Sequence, residues 1–577
     1  MTDKLSFFKR FATAFAALML AACATASSSD GGRGEAMVVA ANPHAVDAAL
    51  EILREGGNAT DAAIAAEMVL GLVEPQSSGV GGGGFMLHYD GASERIEAFD
   101  GREQAPAGAT PTMLADTHAT SFIDLRTGGV AIGGPSLIAM LKMAHDRHGR
   151  LPWARLFAPA ERLADEGFAI SPRMARLMAY AVANERIRND PAARAYFLDE
   201  AGNAWPVGHI LRNPEYAATM RAIAARGPRA LSEGALAEAI VAAAQRAPYP
   251  GTLSLEDLRT IEPRRLEPVC GAFRVYRVCT MGPPSSANAV IAILGLYERA
   301  RPHPVGASDP DDWAAFLWAS RLAFADRDHY MADDQFVPVP TRELIAPAYL
   351  DERAQLIDLA HAPATAIAPG VPAGRELFER WGRDMTESSG TSHLSIVDRW
   401  GNAVSMTSTV ESLFGAQRMV GGFFLNNQLT DFSVQPTLNG MPVANAVAPR
   451  KRPRSSMAPT IITDRDGELV LVIGSPGSSA IIGYVARSTI AILDWHETPQ
   501  NAVAMGNVTA RTVPARIEAQ RLPPGILAMM QQRGWRVQES ALEESGLHAI
   551  LVTPQGLVGG ADPRREGVVA QIPAAAH

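Results

Sequence analysis

The pair Gly390-Thr391 stands where a polar linker gives way to a predicted strand, and a threonine in such a place can serve as a nucleophile. A threonine hydroxyl attacks poorly unless a base lies beside it. If the chain is cut before Thr391, the freed α-amine, whose ordinary pKa is about 7.7–8.0, can take the hydroxyl proton. Thr391 can make that cut itself by attacking the Gly390 carbonyl. The two residues permit this chemistry without requiring it, because most Gly-Thr pairs before a strand are structural.

A hairpin is predicted to hold Thr391 in place. Residues 392–398 alternate between polar and apolar side chains, a Gly-Asn pair supplies a turn, and residues 403–409 continue as a second strand. The prolines in residues 362–372 exclude regular structure there. The linker that ends at Gly390 therefore separates a helix-rich part of the chain from a strand-rich part.

The remaining sequence predicts the other layers of the fold. The predicted strands are residues 37–40, 85–89 and 95–99 and a hairpin at 461–473; the predicted helices are residues 45–54 and 61–73, the second capped by Asn58 and Thr60, and mainly helical regions at 135–247 and 312–360. The glycine run 79–84 lacks the lysine of a P-loop and precedes a strand, which argues against a nucleotide site.

The composition and the net charge argue against some classes of function, nucleic-acid binding first among them. A net charge of −9 over 577 residues gives no electrostatic footprint for nucleic acid. The short basic cluster Arg450, Lys451 and Arg452 predicts a solvated loop.

Cys270 and Cys279 do not have the spacing of a zinc site. They flank a predicted hairpin and form either a disulfide or two free buried thiols. Neither a metal nor an organic cofactor is expected.

The N-terminal residues predict an export signal. A basic start precedes an apolar run at residues 11–22, which is too short to span a bilayer, since a spanning helix needs about 20 residues. The run ends at Cys23 in a sequence that resembles a bacterial lipobox, in which the cysteine is lipidated. We expect a lipoprotein signal peptide at 1–22, a flexible tether at 23–36, and an exported lipoprotein that faces the periplasm, anchored in the outer membrane. The alternative is an ordinary secretory signal.

Motifs along nearly the whole mature chain resemble the gamma-glutamyltranspeptidase family of N-terminal-nucleophile hydrolases. Residues 391–409 resemble that family's nucleophile signature, which continues at 410–415 and 425–433. The other motifs in the family's order are residues 41–43, 56–63, 79–87, 100–103, 283–286, 325–327, 451–457 and 561–564. The resemblance implies an α+β fold, a four-layer αββα sandwich, autoprocessed into a large subunit of residues 37–390 and a small catalytic subunit of residues 391–577.

The same resemblance implies roles for the catalytic residues. Cleavage is expected between Gly390 and Thr391. Thr391 would be the nucleophile and, through its α-amine, the base, while Thr409 hydrogen-bonds it. Gly477 and Ser478 occupy the positions whose backbone N–H groups stabilise the oxyanion.

The implied substrate is a donor with a γ-glutamyl head group. The expected binding residues are Arg102, Glu411, Gln428, Asp431, Ser455 and Ser456. Arg102 and the two serines would hold the α-carboxylate, because a guanidinium binds carboxylates through two parallel hydrogen bonds. Asp431 would pair with the α-ammonium. The implied function is that of a gamma-glutamyltranspeptidase or glutathione hydrolase, which takes the γ-glutamyl group from glutathione or a similar donor and passes it to water, an amino acid or a peptide.

The sequence departs from the family pattern at two places near the site. Ser478 stands where the family usually has a second glycine, and Ala480 replaces a common arginine. The segment 432–450 is shorter than the lid of some members and has no tyrosine, which predicts a more open pocket that accepts bulky γ-substituents.

Two other functions remain open at this stage. One is a related acylase that acts on glutaryl or other side-chain amides, which needs no α-ammonium and so makes less use of Asp431. The other is a non-catalytic lipoprotein that binds peptides or amino acids. An uncleaved mature protein would favour that second alternative.

Overall fold

The computed structural model of the protein describes residues 35–374, 390–540 and 545–574. The predicted signal peptide at 1–22, the lipidation site Cys23, nearly all of the tether and the polar linker before Gly390 lie outside the described residues. Within the described ranges, no helix is both long enough and apolar enough to cross a membrane.

Two antiparallel sheets form the centre of the molecule. Their strands are β1 (Ala36–Ala40), β2 (Gly83–Asp90), β3 (Arg95–Gly101), β4 (Arg264–Leu266), β5 (Val269–Phe273), β6 (Tyr276–Thr280), β7 (Thr391–Val397), β8 (Ala403–Thr409), β9 (Thr460–Thr463), β10 (Leu469–Gly474), β11 (His548–Thr553), β12 (Gly556–Ala561) and β13 (Val568–Ile572). The first sheet has the order β13-β1-β7-β8-β2-β3-β4, and the second has the order β12-β11-β10-β9-β6-β5. The strand that opens with Thr391 therefore lies in the middle of the first sheet.

Helices cover the outer face of each sheet. Pro43–Arg54 and Ala59–Val73 pack on the first sheet, and Asn288–Ala300 and Ala480–Leu493 pack on the second. The other α-helices are Phe122–Arg126, Leu137–His148, Ala158–Glu166, Pro172–Asn184, Pro191–Phe197, Pro214–Arg226, Arg229–Ser232, Ala235–Gln245, Leu255–Arg259, Pro310–Tyr330, Pro347–Ala354, Pro499–Ala504 and Ile526–Gln532. The predicted α+β class and its four-layer αββα sandwich are confirmed.

Short strands complete the secondary structure. They are Phe168–Ala169, Ile210–Leu211, Met419–Val420, Phe423–Phe424, Thr437–Leu438, Met441–Pro442, Val508–Thr509, Ala515–Ile517 and Val537–Glu539.

The alternation of side chains along the strands divides the core into two parts. On β2, Phe85 and Leu87 belong to the core that includes the space between the sheets, whereas Met86 belongs to the core under the helices of the first sheet. Successive side chains of a strand point to opposite faces, so each such strand contributes apolar side chains to both parts of the core. The central strands β7 and β8 are buried along their whole length.

Most of the predicted elements are found. The hairpin of β7 and β8, the hairpin of β9 and β10, and the helix that ends at Val73 are all confirmed. Asn58 caps that helix in a capping box with Asp61, whereas Thr60 lies inside the first turn, so the prediction that Thr60 is a cap was wrong.

The region 312–360 is mainly helical, as predicted, but Pro310–Tyr330 and Pro347–Ala354 are separated by a stretch that contains two prolines. One other prediction was wrong. The basic cluster is not a solvated loop: Lys451 and Arg452 are buried, and only Arg450 is exposed. Lys451 Nζ donates to the carbonyl oxygens of Ala444 and Ala446, at 2.6 and 2.9 Å.

The two cysteines outside the leader lie opposite each other in a hairpin. Cys270 on β5 is the cross-strand partner of Cys279 on β6, and their sulfur atoms form a disulfide. The predicted hairpin is confirmed, and of the two alternatives the structure has the disulfide. Such a bond suits a protein exported to an oxidising compartment.

Candidate active site

The first sheet places Thr391 directly opposite Thr409. β7 and β8 pair in register from Val397 and Ala403 at the turn to Thr391 and Thr409 at the far end. Thr391 Oγ1 donates to Thr409 Oγ1 at 3.3 Å, and Thr409 Oγ1 donates to the carbonyl oxygen of Gly390. The Thr409 hydroxyl is therefore held between the predicted nucleophile and the carbonyl group that the nucleophile would attack.

Glycines allow the backbone to close tightly around this pair. A Cβ atom on Gly82 would lie 1.9 Å from the carbonyl oxygen of Thr409, and one on Gly390 would lie 2.5 Å from the carbonyl oxygen of Glu411. Any side chain at either position would push the strands apart. The glycine run 79–84 therefore serves the close approach of β2 to β8.

The predicted oxyanion loop connects β10 to the helix Ala480–Leu493. Within the described part of the chain, no acceptor is present for the backbone N–H groups of Gly477 and Ser478. The loop also stands at the N-terminus of a helix, where the partial positive charge favours an anion. Gly477 and Ser478 both have positive φ values, 134° and 57°, a region that costs a serine more than a glycine. Ser478 thus has a left-handed backbone conformation that a glycine would adopt without strain.

A cavity of about 380 Å³, mouth included, brings most of the predicted residues together. Its wall consists of Arg102, Arg327, Thr391, Thr409, Glu411, Gln428, Asp431, Arg454, Ser455, Ser456, Met457, Ser478, Ser479 and Ile481. Nine predicted site residues are in that wall, whereas Gly477 and Gly390 are not part of it. No lining residue comes from the segment 432–450, so the predicted short lid contributes nothing to the cavity wall.

Arg102 and Asp431 form an ion pair on this wall. Arg102 Nη2 lies 2.5 Å from Asp431 Oδ2 and donates to the Arg454 carbonyl oxygen at 2.8 Å. Arg102 Nε donates to the Pro453 carbonyl oxygen at 3.1 Å, and Arg102 Nη1 lies 3.8 Å from Glu103 Oε2. Gln428 Nε2 donates to the same Asp431 oxygen at 2.7 Å. A cation and an anion side by side match the head group of an amino acid, in which ammonium and carboxylate are attached to one carbon atom.

The two serines are held by groups that sequence reasoning missed. Arg327 Nη2 donates to Ser456 Oγ at 2.5 Å, and Arg327 Nε donates to Ser286 Oγ at 2.9 Å. Ser286 in turn donates its backbone N–H to the Ser455 carbonyl oxygen at 2.8 Å. The motifs 283–286 and 325–327 were recognised in the sequence, but nothing in their composition indicated that they meet behind Ser455 and Ser456.

Buried acids adjust the charge of the site. Burial raises the pKa of Glu103 to about 8, although the neighbouring Arg102 acts in the opposite direction. Glu103 is therefore largely uncharged at neutral pH. Burial alone would also raise the pKa of Asp328, but three surrounding guanidinium groups, those of Arg511, Arg327 and Arg454, outweigh burial and hold it below its usual value.

One group of side chains elsewhere in the described residues has the composition of a metal site. Ligand atoms of His88, Asp90 and His148 lie within 4.8 Å of one another. The two imidazole rings are stacked, with centroids 3.8 Å apart and planes at 19°. A metal ion lies in the plane of each imidazole that binds it, and one ion cannot lie in two parallel planes. The group is a stacked pair near the opposite end of β2 from Thr409.

Comparisons with known proteins agree with this geometry. Residues 45–572 match the family model described as Gamma-glutamyltranspeptidase. A glutathione hydrolase proenzyme of Escherichia coli (strain K12) is 34% identical over 92% of this chain and 90% of its own, and one of Bacillus subtilis (strain 168) is 32% identical over 93% and 92%. The crystal structure of a cephalosporin acylase from Bacillus halodurans is similar with a TM-score of 0.81, at 26% identity, over 93% of this chain and 96% of that one.

We predict that Ser478→Gly keeps activity and raises stability. Glycine adopts the φ of 57° without strain, so the free energy of unfolding should rise by up to about 1 kcal/mol. Activity should persist because the expected oxyanion donor is the backbone N–H, which glycine retains. Thermal unfolding and steady-state kinetics measure both.

The matched control is Ser479→Gly, because Ser479 has an ordinary φ of −59°. Glycine there should lower the melting temperature, since it only adds freedom to the unfolded chain. If Ser478→Gly lowered the melting temperature as much as the control does, the strain assigned to Ser478 would be absent.

Proposed function

The chain belongs to the gamma-glutamyltranspeptidase family, and from that premise we propose how this enzyme breaks γ-glutamyl amides such as that of glutathione. It passes the γ-glutamyl group to water or to an amine. The observation that carries the proposal is the pairing of Thr391 with Thr409 beside a cavity wall that holds both Arg102 and Asp431. Its relatives are named glutathione hydrolase proenzymes, and these names support the same activity and a precursor that is cleaved into two chains.

Maturation is the first reaction of the site. Thr391 Oγ1 attacks the carbonyl carbon of Gly390, a C–O bond forms, and the C–N bond of the peptide breaks as the nitrogen takes up a proton. The Thr409 hydroxyl, which donates to the Gly390 oxygen, stabilises the negative charge on that oxygen during attack. Water then hydrolyses the ester. The products are a large chain that ends at Gly390 and a small chain that begins with Thr391.

The same hydroxyl then attacks the substrate. The free α-amine of Thr391 takes the Oγ1 proton as Oγ1 adds to the γ-carbonyl carbon. The oxyanion binds the N–H groups of Gly477 and Ser478, each of which is worth about 2.7–4 kcal/mol in comparable sites. The protonated amine returns the proton to the leaving nitrogen, which departs. Attack by water or an acceptor amine on the ester completes the cycle.

The ion pair on the wall selects the head group. The substrate's carboxylate binds Arg102 and the hydroxyl groups of Ser455 and Ser456, and its ammonium binds Asp431. Gln428 orients the Asp431 carboxylate. Glu411 adds a second acid to the wall on the side of Thr409, whose Oγ1 accepts the Glu411 N–H at 2.8 Å.

A second candidate activity is that of an acylase for amides without an α-amino group. It is favoured by one observation, the similarity over most of the chain to the cephalosporin acylase from Bacillus halodurans. We rank it lower because such a substrate would leave Asp431 without an ammonium partner. The absence of lid residues from the cavity wall supports acceptance of bulky γ-substituents under either activity.

We predict that Asp431→Asn separates the two activities. With γ-glutamyl-p-nitroanilide, kcat/KM should fall roughly 30-fold or more, because the substrate ammonium loses a partly buried charged partner. With glutaryl-p-nitroanilide, which has no ammonium, kcat/KM should change less than about threefold relative to the wild type.

Asp466→Asn is the control, since Asp466 lies exposed in the β9–β10 turn. It should match the wild type with both donors. A wild-type enzyme that hydrolysed the glutaryl donor faster than the γ-glutamyl donor would reverse the ranking of the two activities.

We also propose that the enzyme is an exported lipoprotein anchored through Cys23. The support is the order of basic residues, apolar run and cysteine at the N-terminus. In cells, Cys23→Ser should move the protein from the membrane fraction to the soluble periplasmic fraction without changing its activity. The reason is that the anchor would be lost while residues 35–574 stay intact. Cell fractionation with labelled palmitate measures this, and a wild type that carries no label would contradict it.

A further inference from the structure

The first residues of β7 lack a strand neighbour on one edge. On the other edge β8 pairs as far as Thr391, but β1 ends at Ala40, which lies opposite Leu394. The three residues that begin with Thr391 therefore extend beyond the end of β1. Backbone carbonyls at alternate positions of a strand point to the same edge, and unpaired ones are costly when buried.

Two side chains take the place of the missing strand. Arg565 Nη1 donates to the carbonyl oxygen of Thr391 at 2.7 Å. Two residues further on, His548 Nδ1 lies 2.8 Å from the carbonyl oxygen of His393, which makes Nδ1 the protonated nitrogen of that ring. Both side chains belong to the last 30 residues of the chain, which remain in the same subunit as Thr391 after cleavage.

Arg565 is fitted closely to this position. Its side chain is 9% exposed, and a Cβ atom on Gly546 would lie 2.6 Å from Arg565 Cδ and 2.8 Å from Pro476. Pro476 immediately precedes the oxyanion residue Gly477. The arginine stem is thus packed between the nucleophile strand and the loop that carries the oxyanion donors.

We propose that Arg565 is a positioning residue that holds Thr391 in place once Thr391 has become a chain terminus. The inference rests on the proposed role of Thr391 as nucleophile. Chain termini fray unless they are tied down, and here only one edge of the strand is paired by another strand. The hydrogen bond from the Arg565 guanidinium to the Thr391 carbonyl oxygen holds the other edge of the strand. A charged donor makes a stronger hydrogen bond than a neutral one.

The charge of Arg565 has a second effect, on the new α-amine. A cation close to an amine disfavours its protonated form, and the amine must be unprotonated to act as the base. Arg102, Arg327 and Arg454 on the cavity wall act in the same direction, while Glu411 and Asp431 oppose them. His393 and His548 are kept neutral, because burial lowers the pKa of both. Arg565 is the cation bonded to Thr391 itself.

The test compares Arg565→Gln and Arg565→Lys with the wild type, using γ-glutamyl-p-nitroanilide over a range of pH. Arg565→Gln should lower kcat about tenfold with KM within about twofold, because the substrate contacts are unchanged. The acid limb of kcat/KM should move up by about one pH unit, since the amine pKa rises when the cation is removed. Arg565→Lys keeps a cation and should return the limb to its wild-type position.

The control is Arg521→Gln, because Arg521 is exposed and absent from the cavity wall. It should show wild-type kcat and pH profile. If the acid limb of kcat/KM for Arg565→Gln stayed at its wild-type pH, the proposal would be overturned, whether kcat stayed the same or fell. A purely structural defect lowers activity without moving the acid limb.

Two further outcomes are also decisive. If Arg565→Gln is not cleaved into two chains, the result for Arg565→Lys decides. An Arg565→Lys enzyme that matures and has the wild-type acid limb supports the proposal. If neither variant is cleaved, the proposal is contradicted, because the site would then require the shape of the arginine side chain and not its charge. If the wild type hydrolyses no γ-glutamyl donor, the proposed function itself fails, and this inference fails with it.

Discussion

The register of β7 against β8 is the constraint on which the rest of the site depends. Thr391 meets Thr409 only because the hairpin is paired without a bulge along its whole length. A shift by one residue would turn the Thr391 side chain to the opposite face, under the helices. The apolar residues of β7 and β8 fix the register, since both faces of these strands are buried. The core between the layers thus determines the geometry of Thr391, the proposed nucleophile.

Charged side chains from distant parts of the chain lie around the pair Thr391 and Thr409. Arg102 follows β3, Asp431 comes from a short 3-10 turn, and Arg327 comes from the long helix Pro310–Tyr330. The two arginines are buried and Asp431 is partly buried, so each charge is stable only where a partner or a carbonyl oxygen meets it. Arg102 has both kinds of partner, the Asp431 carboxylate and the Pro453 carbonyl oxygen. The substrate head group can therefore bind to groups that are already in position, with little reorganisation at the moment of reaction.

Sequence reasoning succeeded where the signal was local and failed where it depended on distant partners. The hairpin of β7 and β8 was predictable from alternation and a Gly-Asn turn, and the start of the helix Ala59–Val73 from the type of its cap. Lys451 was predicted to be solvated, yet it is buried because the carbonyl groups of Ala444 and Ala446 surround its ammonium group. The roles of Arg327 and Arg565 could not be predicted for the same reason. Their partners, Ser456 and Thr391, lie 129 and 174 residues away in the chain.

The most direct test of self-cleavage at Thr391 compares the wild type with Thr391→Ala by denaturing electrophoresis and mass spectrometry of the fragments. We expect two chains from the wild type, the smaller one beginning at Thr391, and a single uncut chain from the variant, which lacks the attacking hydroxyl. A wild type that stays whole, or a variant cut at the same bond, would contradict the claim that Thr391 creates its own N-terminus.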